Sequence, residues 1–167
     1  MLRFKIKTFN QLSKWELKQI NYYLETNFHK KSLEFFKPFI SYSKFIILEF
    51  QTFIIGFINF ISVKYFFELY TKIAPGELFP LPIITMNGIF INNLFIHTKN
   101  RGKNLGTLLV KSCLKYIKKN DMDHVICQVL EENIKAKNLY LKLNFKTFLS
   151  GYDPITNKKL LILYKNI

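Results

Sequence analysis

Apolar and basic residues alternate from Leu2 to Phe9, with Leu2, Phe4 and Ile6 set against Arg3, Lys5 and Lys7. A period of two predicts a half-buried strand with one wet face. Ser13 or Asn10 then caps a helix whose apolar side is Trp15, Ile20, Tyr23 and Leu24, running to about Phe28. The basic segment His29–Ser32 breaks it, and Leu33 to Lys37 reads as a short second helix ended by Pro38. From Lys44 the pattern turns β-rich. Phe45 to Phe50 and Phe53 to Val63 are strands joined by a tight hairpin at Gln51-Thr52, and Lys64 to Tyr70 extends the second of them. Pro75 to Pro82 cannot continue a ladder, so it is a loop, lying over a substrate or packed on the sheet edge.

Thr85 to Ile96 is a long strand that runs through a basic turn into the clearest helix of the chain. Leu105, Leu108, Leu109, Ser112, Cys113, Tyr116 and Ile117 form one continuous stripe there, and Asn120 and Asp121 end it. His124 to Leu130 is short and nearly all apolar, as suits a central strand. Glu131-Glu132-Asn133 opens a further helix with acids in its first turn. Its inner face is Ala136, Leu139, Tyr140 and Leu143, and Asn144 is its left-handed stop. Phe145 to Leu149 and Lys159 to Lys165 are strands around a turn-rich connection, Gly151 to Lys158. The order β-α-α-β-β-β-α-β-α-β-β predicts one α+β domain over residues 1–167, built on a mixed sheet of six or seven strands.

The strand–turn–helix junction carries the chemistry. Amides in a Gly-containing turn and at a helix N-terminus have no carbonyl partners, and the helix dipole favours negative charge beside them. Arg101 and Lys103 add positive charge to that turn, so a phosphate-bearing ligand is expected there.

Composition changes this picture little. A net charge of +14 invites nucleic acid or a membrane surface, but the lysines are spread along the whole chain. A solvated basic surface that also attracts an anionic cofactor is the plainer reading. Cys113 and Cys127 have no metal-like spacing and fall on apolar faces, which points to buried thiols in a reducing cytoplasm. The scattered histidines suggest no metal site. The longest charge-free apolar run, Phe50 to Val63, is shorter than the roughly 20 residues of a spanning helix, and no signal peptide is read. A soluble chain without a membrane partner is expected.

Two motifs now stand in order. Arg101-Gly102-Lys103-Asn104-Leu105-Gly106 fits a coenzyme loop of the form Arg/Gln-x-x-Gly-x-Gly/Ala, with Asn104 in place of the first Gly. Asn133, Ala136, Tyr140 and Phe145 meet the pattern Asn-x-x-Ala-x-x-x-Tyr-x-x-x-Gly-Phe, with Asn144 in place of Gly. In these the chain resembles the GNAT family of N-acetyltransferases. The resemblance implies acetyl-CoA as coenzyme, its pyrophosphate cradled by the amides of Gly102, Lys103, Asn104, Leu105, Gly106 and Thr107, with Arg101 on phosphate. It places Leu94, Phe95 and Ile96 along the pantetheine arm and acetyl carbonyl, and Asn133 against the coenzyme, although a helix N-cap would also explain Asn133. By the same resemblance Tyr140 protonates the leaving thiolate, where without the motif it would read as a core tyrosine.

The general base has no assigned residue. Ribosomal-protein N-terminal acetyltransferases carry a Glu five residues before the motif Asn, and this chain has Gln128 there, which argues against that subfamily. Glu49, Glu68, Glu77 and His97 remain candidates, His97 reading better as a loop-packing residue. The expected activity is direct acetyl transfer to a primary amine of a small molecule, a peptide N-terminus or a lysine, by a monomer or homodimer. The alternatives are a catalytically inactive GNAT-fold module with a basic nucleic-acid-binding surface, or acetylation of aminoacyl-tRNA.

Overall fold

The computed structural model describes residues 2–28, 30–73, 86–153 and 156–167. Its elements are β1 (Leu2–Thr8), α1 (Lys14–Asn27), α2 (Lys30–Ile40), β2 (Lys44–Phe50), β3 (Phe53–Ser62), α3 (Val63–Ile73), β4 (Gly88–Ile96), α4 (Leu105–Lys119), β5 (His124–Leu130), α5 (Ile134–Lys142), β6 (Lys146–Tyr152) and β7 (Lys159–Asn166). The strands form one sheet in the order β1-β2-β3-β4-β5-β7-β6. Only β4 and β5 pair in parallel; every other neighbouring pair is antiparallel.

Helices cover both faces of this sheet, as the α+β reading requires. On one face α4 and α5 bury Leu109, Val110, Cys113, Ile117 and Tyr140 against Ile58, Phe60, Ile91, Val125, Cys127 and Val129. On the other, α1 packs Ile20 and Leu24 on Phe45, Ile47, Phe57 and Phe95, while α3 packs Phe66, Phe67 and Tyr70 on Ile61, Phe90 and Ile126. Cys113 and Cys127 are free and buried, and burial pushes both thiols well above their ordinary range.

Several elements differ from the sequence expectation. Lys64 to Tyr70 is helix, not an extension of β3. Val63, Phe66, Phe67 and Tyr70 recur at helical spacing and are all buried. The second helix begins at Lys30 and runs through Pro38 to Ile40. Burial of Phe39 and Ile40 offsets the hydrogen bond that Pro38 cannot make. In α1, Trp15 is 52% exposed, while Glu16 and Gln19 lie buried. Glu16 closes a capping box with Ser13 and meets Lys7 at 2.7 Å. Burial raises its carboxyl pKa, but the Lys7 ammonium and the Ser13 N–H and hydroxyl outweigh this and leave it lowered. Glu131 and Glu132 precede α5 instead of lying in its first turn, bonded to Lys159 and Lys158. Gly151 and Tyr152 belong to β6. Pro75 to Pro82 and Thr85 lie outside the described residues.

Candidate active site

β4 holds the site because its two edges are treated differently. Along β3 it is paired from Ile89 to Ile96, apart from a bulge that places Asn92 between the pairs Phe60↔Ile91 and Asn59↔Asn93. Along β5 it pairs only from Gly88↔His124 to Ile91↔Cys127. A bulge bends its strand and increases the local twist, whereas β5 stays in register with β7 to Leu130. Asn92–Ile96 and Gln128–Leu130 therefore diverge, leaving a wedge between two central strands.

Backbone groups line that wedge. The His97 N–H donates to the Ile55 carbonyl at 2.9 Å. Successive residues of an antiparallel ladder point their peptide groups to opposite edges. Leu94 and Ile96 therefore direct theirs into the wedge, and Phe95 directs its own to β3. The Phe95 ring is buried and stacked 4.6 Å from Tyr23. Arg101 Nε donates to the Ile96 carbonyl at 2.9 Å, and Arg101 Nη2 reaches Asn27 Oδ1 at 3.3 Å.

The turn after β4 has the conformation that its sequence asks for. Gly102 has φ +79°, where only open space would meet a Cβ, and Asn104 takes φ 57°, ψ 15°. The first intrahelical bond of α4 is Leu108 N–H to the Asn104 carbonyl at 3.1 Å, and the Asn104 side chain does not cap. The N–H groups of Gly102, Lys103, Asn104, Leu105, Gly106 and Thr107 have no partner among the described residues. Nor does Lys99, Arg101 or Lys103 enter an ion pair among them. Gly106 serves packing as well. A Cβ there would come within 2.9 Å of Leu139 Cδ1 on α5 and 3.9 Å of the Leu94 and Ile96 side chains.

Tyr140 is buried on α5, edge-on to Phe145 at 5.1 Å. Burial, and then the neighbouring Cys127 and Cys113 thiols, push its pKa well above the ordinary tyrosine value. Cys127 is the last β5 residue paired with β4, so the hydroxyl beside it sits where the wedge begins. Asn133 caps α5, its Oδ1 accepting from the Ala136 N–H at 3.2 Å. Asn144 has φ 62°, and the Phe145 N–H closes on the Tyr140 carbonyl.

The three base candidates among the described residues do not converge. Glu49 is buried and bound to Lys5 at 2.7 Å. Glu68 is exposed on α3, and Glu77 lies outside the described residues. His97 packs edge-on to Tyr23 at 5.7 Å, in keeping with its loop-packing reading. Gln128 follows Cys127 on β5, so it faces the α2–α3 side of the wedge, opposite Tyr140.

A polar cluster on that same side escaped the sequence reading. Ser43 Oγ donates to the Phe39 carbonyl at 2.8 Å and accepts from Asn92 Nδ2 at 2.9 Å and Asn59 Nδ2 at 3.4 Å. The signal was present: Asn59 and Asn92-Asn93 interrupt otherwise apolar strands. No helix among the described residues is long and apolar enough to cross a membrane.

The sheet thus opens between two parallel central strands, and a turn of unpaired amides leads from it into the next helix. The profile of the Acetyltransferase (GNAT) family matches residues 10–145, and the chain belongs to that family. An N-acetyltransferase of Bacillus subtilis, YobR, is 30% identical over 82 residues, which is 49% of this chain and 33% of YobR. The chain thus spans about a third of that relative. Among solved structures, a Bacillus subtilis acetyltransferase in complex with CoA superposes at a TM-score of 0.70 and 13% identity, over 100% of this chain and 99% of the other. Arabidopsis thaliana NAA60 in complex with acetyl-CoA gives the same score, identity and coverage. The IAA acetyltransferase of Bacillus cereus matches at 0.70 and 12%, over 100% of both chains. Likeness at this identity establishes the fold.

Proposed function

We propose that the chain is an N-acetyltransferase domain that takes acetyl-CoA as acetyl donor and passes the acetyl group directly to a primary amine. The observation that carries this reading is the row of unpartnered N–H groups from Gly102 to Thr107, set beside the β4–β5 wedge. Acetyl-CoA supplies an acetyl group activated as a thioester. The turn amides and the α4 dipole suit its pyrophosphate, and Lys99, Arg101 and Lys103 raise the positive potential around them. The Leu94 N–H and carbonyl and the Ile96 N–H offer themselves to the amide-bearing arm, much as a sheet edge accepts another strand, while the Ile96 carbonyl accepts from Arg101 Nε. Asn133 fixes the start of α5, and Tyr140, kept protonated by burial, gives its proton to the departing thiolate. The free Cys113 and Cys127 thiols suit a reducing cytoplasm.

Calorimetry with acetyl-CoA tests the site. Lys103→Glu reverses one exposed charge of the turn without touching the packing at Gly106, so it is a cleaner probe than a substitution of that glycine. Micromolar binding to the wild type, weakened about tenfold in Lys103→Glu, is expected. A well-folded wild type that binds no acetyl-CoA would refute the reading.

A further inference from the structure

Around the β4 bulge, three asparagines have hydrogen-bonding capacity that no group among the described residues uses. Asn59 is 1% exposed and Asn93 is 8% exposed, while Asn92, half-buried, is the most open of the three. Asn59 Oδ1, Asn92 Oδ1 and Asn93 Nδ2 are all buried without a partner among the described residues. Ser43 fixes the orientation of two of the amides. Its hydroxyl proton is committed to the Phe39 carbonyl, so its oxygen can only accept, and Asn59 and Asn92 must present their nitrogens to it. Their oxygens are therefore turned away. Asn93 pairs with Asn59 across the ladder, on the same face.

Burying unpaired amides costs about 1–3 kcal/mol each, a cost that a fold without use for them would shed. Their place is informative as well. Asn92 and Asn93 directly follow Ile91, the last β4 residue paired with β5, so they stand where the wedge opens. They lie on the sheet face opposite Tyr140, the side that also carries Gln128. These groups are neutral: two free oxygens and one free NH2 group. A carboxylate or a second ammonium buried among them would lose its hydration without a countercharge, whereas an amide group, with N–H to give and C=O to receive, is their complement.

Resting on the function proposed above, we infer that Ser43, Asn59, Asn92 and Asn93 form the acceptor-recognition subsite and that it reads an amide adjoining the reacting amine. The acceptor class is then the α-amine of a peptide or amino-acid amide, where amine and first carbonyl are two bonds apart. Lysine side chains and polyamines carry no amide at that distance. In the transfer the amine nitrogen bonds the acetyl carbon and the carbon–sulfur bond breaks. One amine proton leaves the nitrogen and one proton is taken up by sulfur, so a neutral amine reacts with no net proton release. The asparagines position the acceptor and exchange no proton with it.

The test compares Ala-Ala-Ala amide with Nα-acetyl-lysine methylamide and spermidine as acceptors, on the wild type and on Asn93→Leu, with acetyl-CoA binding measured in parallel. The tripeptide amide is expected to be the best of the three by kcat/KM. Asn93→Leu should raise its KM about tenfold, leave acetyl-CoA affinity unchanged, and hold or raise Tm, because an orphaned amide is replaced by an apolar group of similar size. A loss of fold would lower Tm and both affinities together. Asn92→Leu, at the half-buried mouth, should repeat the KM effect. Turnover of the tripeptide amide no faster than of the lysine derivative, or a KM unmoved in both variants, overturns the inference and leaves the acetyl-CoA reading standing. Absence of acetyl-CoA binding to the wild type removes both.

Discussion

Residues Gly88–Ile91 and Asn92–Ile96 belong to one strand and keep one antiparallel partner, β3, but they differ in what lies along the other edge. The first four residues are zipped to β5, and Ile89, Phe90 and Ile91 are buried on alternate faces. The last five have lost β5 and present peptide groups to a gap. What separates the halves is one extra residue, Asn92, in the ladder with β3. The closed half supplies rigidity, and the open half inherits a fixed geometry in which no strand pairs along that side and the Ile96 carbonyl accepts from Arg101 Nε.

Substitutions can break this contrast at either half. Gly88→Ala should do the most damage. Its Cβ would stand 2.3 Å from the His124 carbonyl oxygen, a backbone atom that cannot move aside, at the head of the four closing pairs. A loss of about 3 kcal/mol in urea unfolding is expected. Next comes Tyr140→Phe, at the junction of the halves, for which kcat should fall about 100-fold with acetyl-CoA affinity retained. An unchanged kcat would return Tyr140 to the core. Because its pKa is raised, the hydroxyl stays protonated above its unfolded value of about 10, so the wild type should show no loss of kcat from this group between about pH 7 and 10.

Smaller effects sharpen the comparison. Asn133→Ala removes the α5 cap and should cost about 1 kcal/mol in thermal unfolding. A parallel loss of acetyl-CoA affinity would add coenzyme contact to the capping role. Gly106→Ala should lie within about 1 kcal/mol of wild type. Its Cβ meets the flexible tip of Leu139, and helix propensity favours Ala over Gly. Two glycines beside the same strand thus differ in whether the atom in the way can yield.

What could be read from the sequence follows the range of the forces involved. The turn and α4 were legible because their causes are local: Gly102 and Asn104 supply positive φ, and the apolar stripe that follows has one period. Asn144 ended α5 for the same local reason. By contrast, α3 was read as strand because its aromatic-rich composition suggests β structure, while its helical period satisfies a sheet contact distant in sequence. Glu16 and Gln19 displaced Trp15 from the buried face of α1 because β1 brings Lys7 to Glu16, and β3 brings the Ile54 N–H to Gln19 Oε1. The wedge was invisible in the chain itself. Whether Leu94 or Phe95 offers its peptide group depends on ladder parity, which exists only once β3 is in place. Asn59, Asn92 and Asn93 could be seen as polar interruptions, but their convergence on Ser43 could not.

The amides from Gly102 to Thr107 have a consequence for how the chain can change over time. If these amides hold the pyrophosphate as proposed, the grip has no side chain to lose and is exposed to mutation only where the backbone path is set. Two positions set it here, Gly102 and Asn104 with their left-handed φ. The residues between and after them can be exchanged while the grip persists. Sequence drift would then erase the outward signature of such a turn long before it erased the turn's capacity to hold an anion, and selection on the acceptor face could proceed without disturbing it.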